Sequence, residues 1–311
     1  MRVNLMIEGQ ESVTWEQWVA LARAVQDAGL EGLFRSDHYQ SVAAHTERSS
    51  LDAWVTLGAL GAVTERIRLG TMVSPTSFRH PSVLAKNAVT ADHVSGGRIE
   101  LGMGAGWHEL EHRTYGFDFH DLGTRYEVFE EQVEIVSRQL REPRFDHHGT
   151  HYRLEGCEAN PKPVQSPSIP VILGGVAGPR SAALAARFAD EYNTVFPSLE
   201  AVRDRKANLD AACADIGRDP LPLSIMTGCL LGRDEAEVRE RAALLMGRSG
   251  RDGDLEPWLD GLRQEWIIGT PEQAAARLEQ YREVGVSRVM LQHQLHDDLD
   301  MVAVMGALVE G

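Results

Sequence analysis

Eight times along this chain a short run rich in Val, Ile and Leu gives way to a longer amphipathic stretch, and few folds accommodate that alternation. The first four pairs are 3–7 with 15–28, 32–35 with 51–63, 67–73 with 82–94, and 98–103 with 126–140. The pattern resumes as 171–173 with 180–189, 191–195 with 199–216, 223–230 with 235–246, and 288–291 with 299–309. Parallel strands need a crossover of about a dozen residues, which a helix supplies. Eight such units predict an α/β fold, an eight-stranded parallel β/α (TIM) barrel with loop insertions.

Element ends agree with this count. Thr14, Asp52, Ser198 and Thr270 precede apolar-periodic segments as N-caps, Pro271 fits a first helical position, and Gly29 and Gly285 follow such segments as stops. Two segments break the rhythm: about 143–170, where HHGTHYRL reads as a hairpin, and 247–269, charged and then Trp-rich. Neither has the composition of a flexible tether, so both are expected as insertions over the barrel mouth of one domain spanning 1–311.

Acidic residues outnumber basic ones 46 to 31, a net charge of −15, which argues against nucleic acid or an anionic membrane as partner and leaves a small-molecule substrate. Cys157, Cys213 and Cys229 form no Cys-x-x-Cys pair, so neither a disulfide framework nor a thiolate zinc site is expected. The start MRVNLMIEG lacks the apolar run of a signal peptide, and no 18 consecutive apolar residues occur. The expectation is a cytoplasmic enzyme.

In parallel α/β folds, catalytic groups gather where strands run out at their carboxyl ends. GLFRSDHY places Asp37 and His38 at such an end, against the plainer reading of a capping or surface pair. The turn 102–107, GMGAGW, lets backbone approach a flat or phosphorylated ligand, although its glycine spacing is not that of a dinucleotide fingerprint. No helix is expected directly after it; a polar loop should run to about Arg125. A second turn, Gly174-Gly175-Val176-Ala177-Gly178-Pro179-Arg180, opens a helix and so joins free N–H groups, a positive dipole end and a guanidinium into an anion site.

Two histidine groupings compete for attention. His108-Glu109-Leu110-Glu111-His112 matches His-Glu-x-x-His, the pattern of a zinc hydrolase with two imidazoles one helical turn apart. Against it, the motif follows a glycine turn, and Tyr115 stands where the longer zinc motif requires glycine. His147, His148 and His151 lie on the hairpin, where neighbours face opposite sides and do not converge on a metal.

Taken together, LFRSDHYQ, RIRLGTMVSPTSFRHPSVLAK, HVSGGRIELGMGAGWHELEHRTYGFDF and PVILGGVAGPRSAALAARFADEYN resemble the luciferase-like monooxygenase superfamily, and more closely its actinobacterial branch using the deazaflavin coenzyme F420. The resemblance covers nearly the whole chain. It implies a hydride-transferring oxidoreductase with coenzyme F420, a homodimer, and a non-prolyl cis peptide between Met72 and Val73 backing the tricyclic ring. The catalytic positions it implies are His38, Asp37 and Trp107, with His38 exchanging a proton and a carboxylate such as Asp37 orienting it.

The implied coenzyme contacts are Asp37, His38, Thr71, Met72, Val73, Gly104, Ala105, Gly106, Trp107, Tyr126, Gly174, Gly175, Val176, Ala177, Gly178 and Arg180, with no metal ligand. Sugar-phosphate dehydrogenases of this branch carry a glutamate where Trp107 stands, so the resemblance speaks against glucose 6-phosphate and for an apolar or aromatic substrate. The alternatives are an FMNH2-dependent monooxygenase on the same barrel, a zinc hydrolase using His108 and His112, and a noncatalytic coenzyme-binding barrel.

Overall fold

The structure, a computed structural model, describes residues 1–43 and 47–309. Eight parallel strands close on themselves: β1 (Arg2–Ile7), β2 (Gly32–Arg35), β3 (Arg68–Thr71), β4 (Ile99–Gly104), β5 (Val171–Gly174), β6 (Glu191–Val195), β7 (Leu223–Leu231) and β8 (Val286–His293). Each pairs with the next, and β8 returns to β1 with Arg2 opposite Arg288 and Met6 opposite Gln292. The α/β TIM barrel expected from the alternation is the observed fold.

The helices are α1 (Trp15–Asp27), α2 (Ala53–Val63), α3 (Pro81–Ser95), α4 (Glu109–Tyr115), α5 (Leu122–Arg141), α6 (Pro179–Phe188), α7 (Leu199–Asp215), α8 (Glu235–Arg248), α9 (Leu255–Glu265), α10 (Pro271–Glu283) and α11 (Leu299–Met305). The hydroxyl or carboxylate of Thr14, Asp52 and Ser198 accepts a first-turn backbone N–H, and Thr14 and Thr270 form capping boxes with Gln17 and Gln273. Gly29 and Gly285 take positive φ just past α1 and α10.

Three local expectations change. A helix, α4, does follow the glycine turn; at seven residues it is too short to display a 3.6-residue period. Helix α5 begins at Leu122 rather than 126, because Asp121 caps it through the Gly123 and Thr124 amides. The segment 247–269 holds α9 and a short strand, Ile267–Gly269, that adds to the outside of β7. The hairpin is present as Phe145–His148 against Arg153–Cys157, with His147 buried and His148 exposed.

Side chains alternate across a strand, so residues two apart line the barrel interior in layers. Asn4, Glu100, Glu191 and Arg288 form the lowest layer, with Arg288 Nη1 2.6 Å from Glu100 Oε2 and 3.3 Å from Glu191 Oε2. Above them Met6, Phe34, Met72, Ile172, Met226 and Met290 pack as a separate apolar cluster that plugs the barrel. The strand ends above that plug carry the site. Among the described residues, no helix is long and apolar enough to cross a membrane.

Candidate active site

A cavity of about 440 Å³ opens over the methionine-rich plug at the carboxyl ends of the strands. Of the positions singled out from sequence, it gathers His38, Met72, Val73, Gly104, Ala105, Gly106, Trp107, Gly174 and Gly175 along its walls. It does not gather Asp37, Thr71, Tyr126, Val176, Ala177, Gly178 or Arg180. Glu8, Gln292, Asn193, Met226 and Phe196 are among the further lining residues, and the sequence did not single them out.

The Met72–Val73 peptide is cis, and β3 ends at Thr71, after which Ser74–Pro75 pairs with β4. The Val73 side chain lies where neighbouring strand ends carry no side chains. A Cβ at Gly104 would stand 2.7 Å from Val73 Cγ2, and one at Gly174 would stand 3.2 Å from Cγ1. These two glycines therefore make room for Val73 as a wall of the cavity. The close approach these glycines permit is thus, in this structure, that of the Val73 side chain.

His38 is nearly buried, and its Nδ1 lies 2.7 Å from Glu111 Oε2. The other carboxylate oxygen of Glu111 accepts the backbone N–H groups of Tyr39 and, at 3.1 Å, Gln40. Glu111 is wholly buried, so this α4 carboxylate is fixed at both oxygens. Burial disfavours the imidazolium, but the hydrogen bond and charge of Glu111, helped by Glu8 and Asp37, prevail and hold His38 above its ordinary pKa. Glu111 is held below the usual carboxylate range: burial opposes this, but the His38 contact and the two amides outweigh it. With Nδ1 engaged, Nε2 is the nitrogen left for exchange with a ligand.

Asp37 has other work. It accepts two hydrogen bonds from Arg79, at 2.6 and 3.1 Å, and one from Ser74 Oγ at 2.7 Å, and it is buried. Arg79 also reaches Asp52 at 2.8 Å. Asp37 thus ties the end of β2 to the segment following Val73. The expectation that it orients His38 is corrected to Glu111, because adjacent residues leaving a strand point to opposite sides. Thr71 is likewise internal, its hydroxyl donating to Gly102 O at 3.0 Å.

Trp107 stands at the rim, 64% exposed, stacked on His108 at 5.2 Å and edge-on to His38 at 5.9 Å. The His-Glu-x-x-His pair does not converge. His112 Nε2 lies 2.6 Å from Ser77 Oγ and its Nδ1 2.8 Å from His108 O, while Glu109 is exposed. A cation could instead meet one donor atom from each of His38, His108 and Glu111, which lie within 4.8 Å of one another.

At the far end, the turn after β5 is shaped by Tyr192. Its hydroxyl accepts the Ala177 N–H at 2.9 Å and would lie 2.7 Å from a Cβ on Gly175. Helix α6 then starts at Gly178 with no side-chain cap, and a Cβ on Gly178 would meet nothing within 4 Å. A helix start without a cap, beside open space, suits an anion. Arg180 does not face that space unengaged: its Nε and Nη2 bond Glu130 of α5 at 2.6 and 2.7 Å, above the Tyr126 ring at 5.5 Å.

Several known proteins share this architecture. Over 170 residues the chain is 32% identical to an F420-dependent glucose-6-phosphate dehydrogenase of Microbacterium testaceum, covering 54% of this chain and 49% of that protein. The chain spans about half to three fifths of the length of the curated relatives it matches. Among solved structures, monooxygenase RslO1 from Streptomyces bottropensis superposes with a TM-score of 0.84 at 22% identity, covering 100% of this chain and 99% of that one. An F420-dependent secondary alcohol dehydrogenase, solved with an F420-acetone adduct, gives 0.82 at 17%, covering 99% and 98%. At such identities these two likenesses concern the fold alone. The profile of the luciferase-like monooxygenases, however, matches residues 2–288, and the chain belongs to that family.

Proposed function

We propose that this protein is a coenzyme F420-dependent oxidoreductase exchanging a hydride with a small, apolar or aromatic organic substrate. The observation that carries this reading is a nearly buried histidine–carboxylate pair opening onto a mostly apolar cavity, with an uncapped helix start beyond its far wall. The residues present fit a phosphorylated tricycle: Met72 and Val73 offer a flat apolar backing, 104–107 a narrow edge, and Gly178 an open place for phosphate. The F420-dependent relative supports the choice of coenzyme.

When bound, the deazaflavin supplies a centre that gives or takes two electrons as hydride. The chain does the rest. Val73 and Met72 would hold the ring, and the first turn of α6 its phosphate. His38 Nε2 holds or releases the substrate proton, while Glu111 fixes the tautomer and orientation of the ring. The test is a titration with oxidised F420 and with FMN, followed by tryptophan fluorescence, then turnover with oxygen recorded. Binding of F420 with oxygen-independent substrate turnover supports the proposal. FMN binding with oxygen consumption replaces it by the monooxygenase reading, binding without any turnover leaves a carrier barrel, and loss of activity with chelator points to metal.

Glu130→Gln is expected to tighten F420 binding by about two- to fivefold, since it releases Arg180 from an exposed pair of small net value toward the phosphate. An unchanged Kd would remove Arg180 from that site.

The proposal includes a homodimer. Helix α2 has no charged residue, yet Val55 is 74% exposed, and Val83 and Val94 of the adjacent α3 are exposed beside it. Val55→Glu is expected to convert a dimer to a monomer in light scattering behind a sizing column; a monomeric parent protein would end this part of the proposal.

A further inference from the structure

Among the described residues, Glu8 and His38 are the ionisable side chains along the cavity wall, and neither lysine nor arginine occurs there. Glu8 stands one residue beyond β1, on the inward face already occupied by Asn4 and Met6. Its position is built rather than incidental. Gln292 Nε2 donates to Oε1, and Gln10 Nε2 donates to Oε2 at 2.6 Å. The Gln10 amide is turned that way by Ser36, whose hydroxyl donates to Gln10 Oε1 and accepts the Gly9 N–H at 3.0 Å.

Among the described residues no guanidinium or ammonium forms an ion pair with Glu8, so two side-chain amides are its direct partners, while its charge acts at longer range on His38. Each carboxylate oxygen has a second lone pair, and a carboxylate in a partly buried place is satisfied best by N–H or O–H donors or by a cation. Met72, Val73, Met226 and Phe196 give the same wall an apolar surface, and its other polar side chains, Ser36, Asn193 and Gln292, are uncharged. An anion entering this space would meet the like charge of Glu8, and the one basic group on the described wall, His38, is already paired with Glu111.

Resting on the oxidoreductase reading above, we propose that Glu8 is the polar anchor for the substrate. The protein takes neutral or cationic apolar molecules bearing an O–H or N–H group, alcohols and amines, and rejects carboxylates and phosphates. The sugar phosphate of the dehydrogenase relative is thereby excluded on charge, independently of Trp107.

Three probes of one shape test this: benzyl alcohol, benzylamine and benzoate, each titrated calorimetrically into F420-loaded protein at pH 7. Benzyl alcohol and protonated benzylamine are expected to bind at least about tenfold more tightly than benzoate. In Glu8→Gln, which keeps shape but not charge, benzylamine should weaken about tenfold and benzoate should tighten, a crossing that loss of fold cannot produce. Coenzyme Kd, measured first without probe, should stay within about twofold. Benzoate binding as well as benzylamine to the parent overturns the proposal. So does a Glu8→Gln variant whose loss is in coenzyme affinity, since Glu8 would then hold the ring. Failure of the parent to bind F420 in the probe-free titration strikes the oxidoreductase reading instead, so the two failures are distinguishable.

Discussion

Alanine at His38 is expected to lower kcat by about 10²–10⁴-fold while coenzyme Kd changes by no more than about threefold. Under the proposed function the asymmetry follows, because Nε2 would exchange a proton with substrate whereas the coenzyme would rest on Val73, the 104–107 turn and α6. Equal losses in kcat and coenzyme affinity would make His38 a binding residue. Glu111→Gln separates orientation from chemistry through pH. Burial opposes the imidazolium, and Glu111, with Glu8 and Asp37, outweighs it and holds His38 above its ordinary value; without the Glu111 charge the value falls.

Where neutral His38 accepts the proton, the acid limb of kcat/KM therefore moves to lower pH in Glu111→Gln, with a lower plateau, and Glu111→Asp restores part of both. A limb that stays in place would show that Glu111 merely supports the loop. The same shift enters stability: a raised folded-state pKa contributes in full below about 6.5 and is lost as pH rises through the folded value. The parent should thus lose, relative to Glu111→Gln, some of its advantage in thermal stability on moving from acid toward alkaline pH.

Arg288→Met is expected to be the most destabilising single change, by about 3–5 kcal/mol, because it strands Glu100 and Glu191 inside the barrel. Arg288 is 1% exposed and also donates to Asn4 Oδ1 at 3.1 Å. Burial and the neighbouring Glu100 charge hold Glu191 above the carboxylate range even though Arg288 opposes them, so without Arg288 the site favours a neutral acid. Calorimetry should show a Tm lower by roughly 5–8 °C for a protein of this size. Adding Glu100→Gln and Glu191→Gln should recover much of it, since a well-packed neutral layer can replace a buried ionic one. No recovery would place the cost in packing under Phe34, over which the guanidinium lies at 4.9 Å.

The barrel was legible because burial on both faces writes itself as repeated apolar runs, and because Thr14, Asp52 and Ser198 sit where helix starts need acceptors. His38 was legible from its place at a strand end. Glu111 was not: it belongs to α4, whose seven residues show no period, and the motif around it drew attention to His108 and His112. Its distance of 73 residues from His38 in the chain leaves no local signature. Glu8 could have been found, since Asn4, Met6 and Glu8 follow the two-residue alternation and the last lies at a strand end, as His38 does. The pairing of Arg180 with Glu130 could not, because it depends on how α5 settles against α6.

The wedge formed by Val73 between Gly104 and Gly174 has a bearing on how this scaffold diversifies. The cavity wall that Val73 forms is cut into three neighbouring strand ends, elements that the closed barrel holds in place, while 107–125, 143–170 and 247–269 lie on connecting segments. Sequence drift in those segments can reshape what the cavity admits without disturbing the wall at its base, so new specificities can accumulate around an unchanging floor.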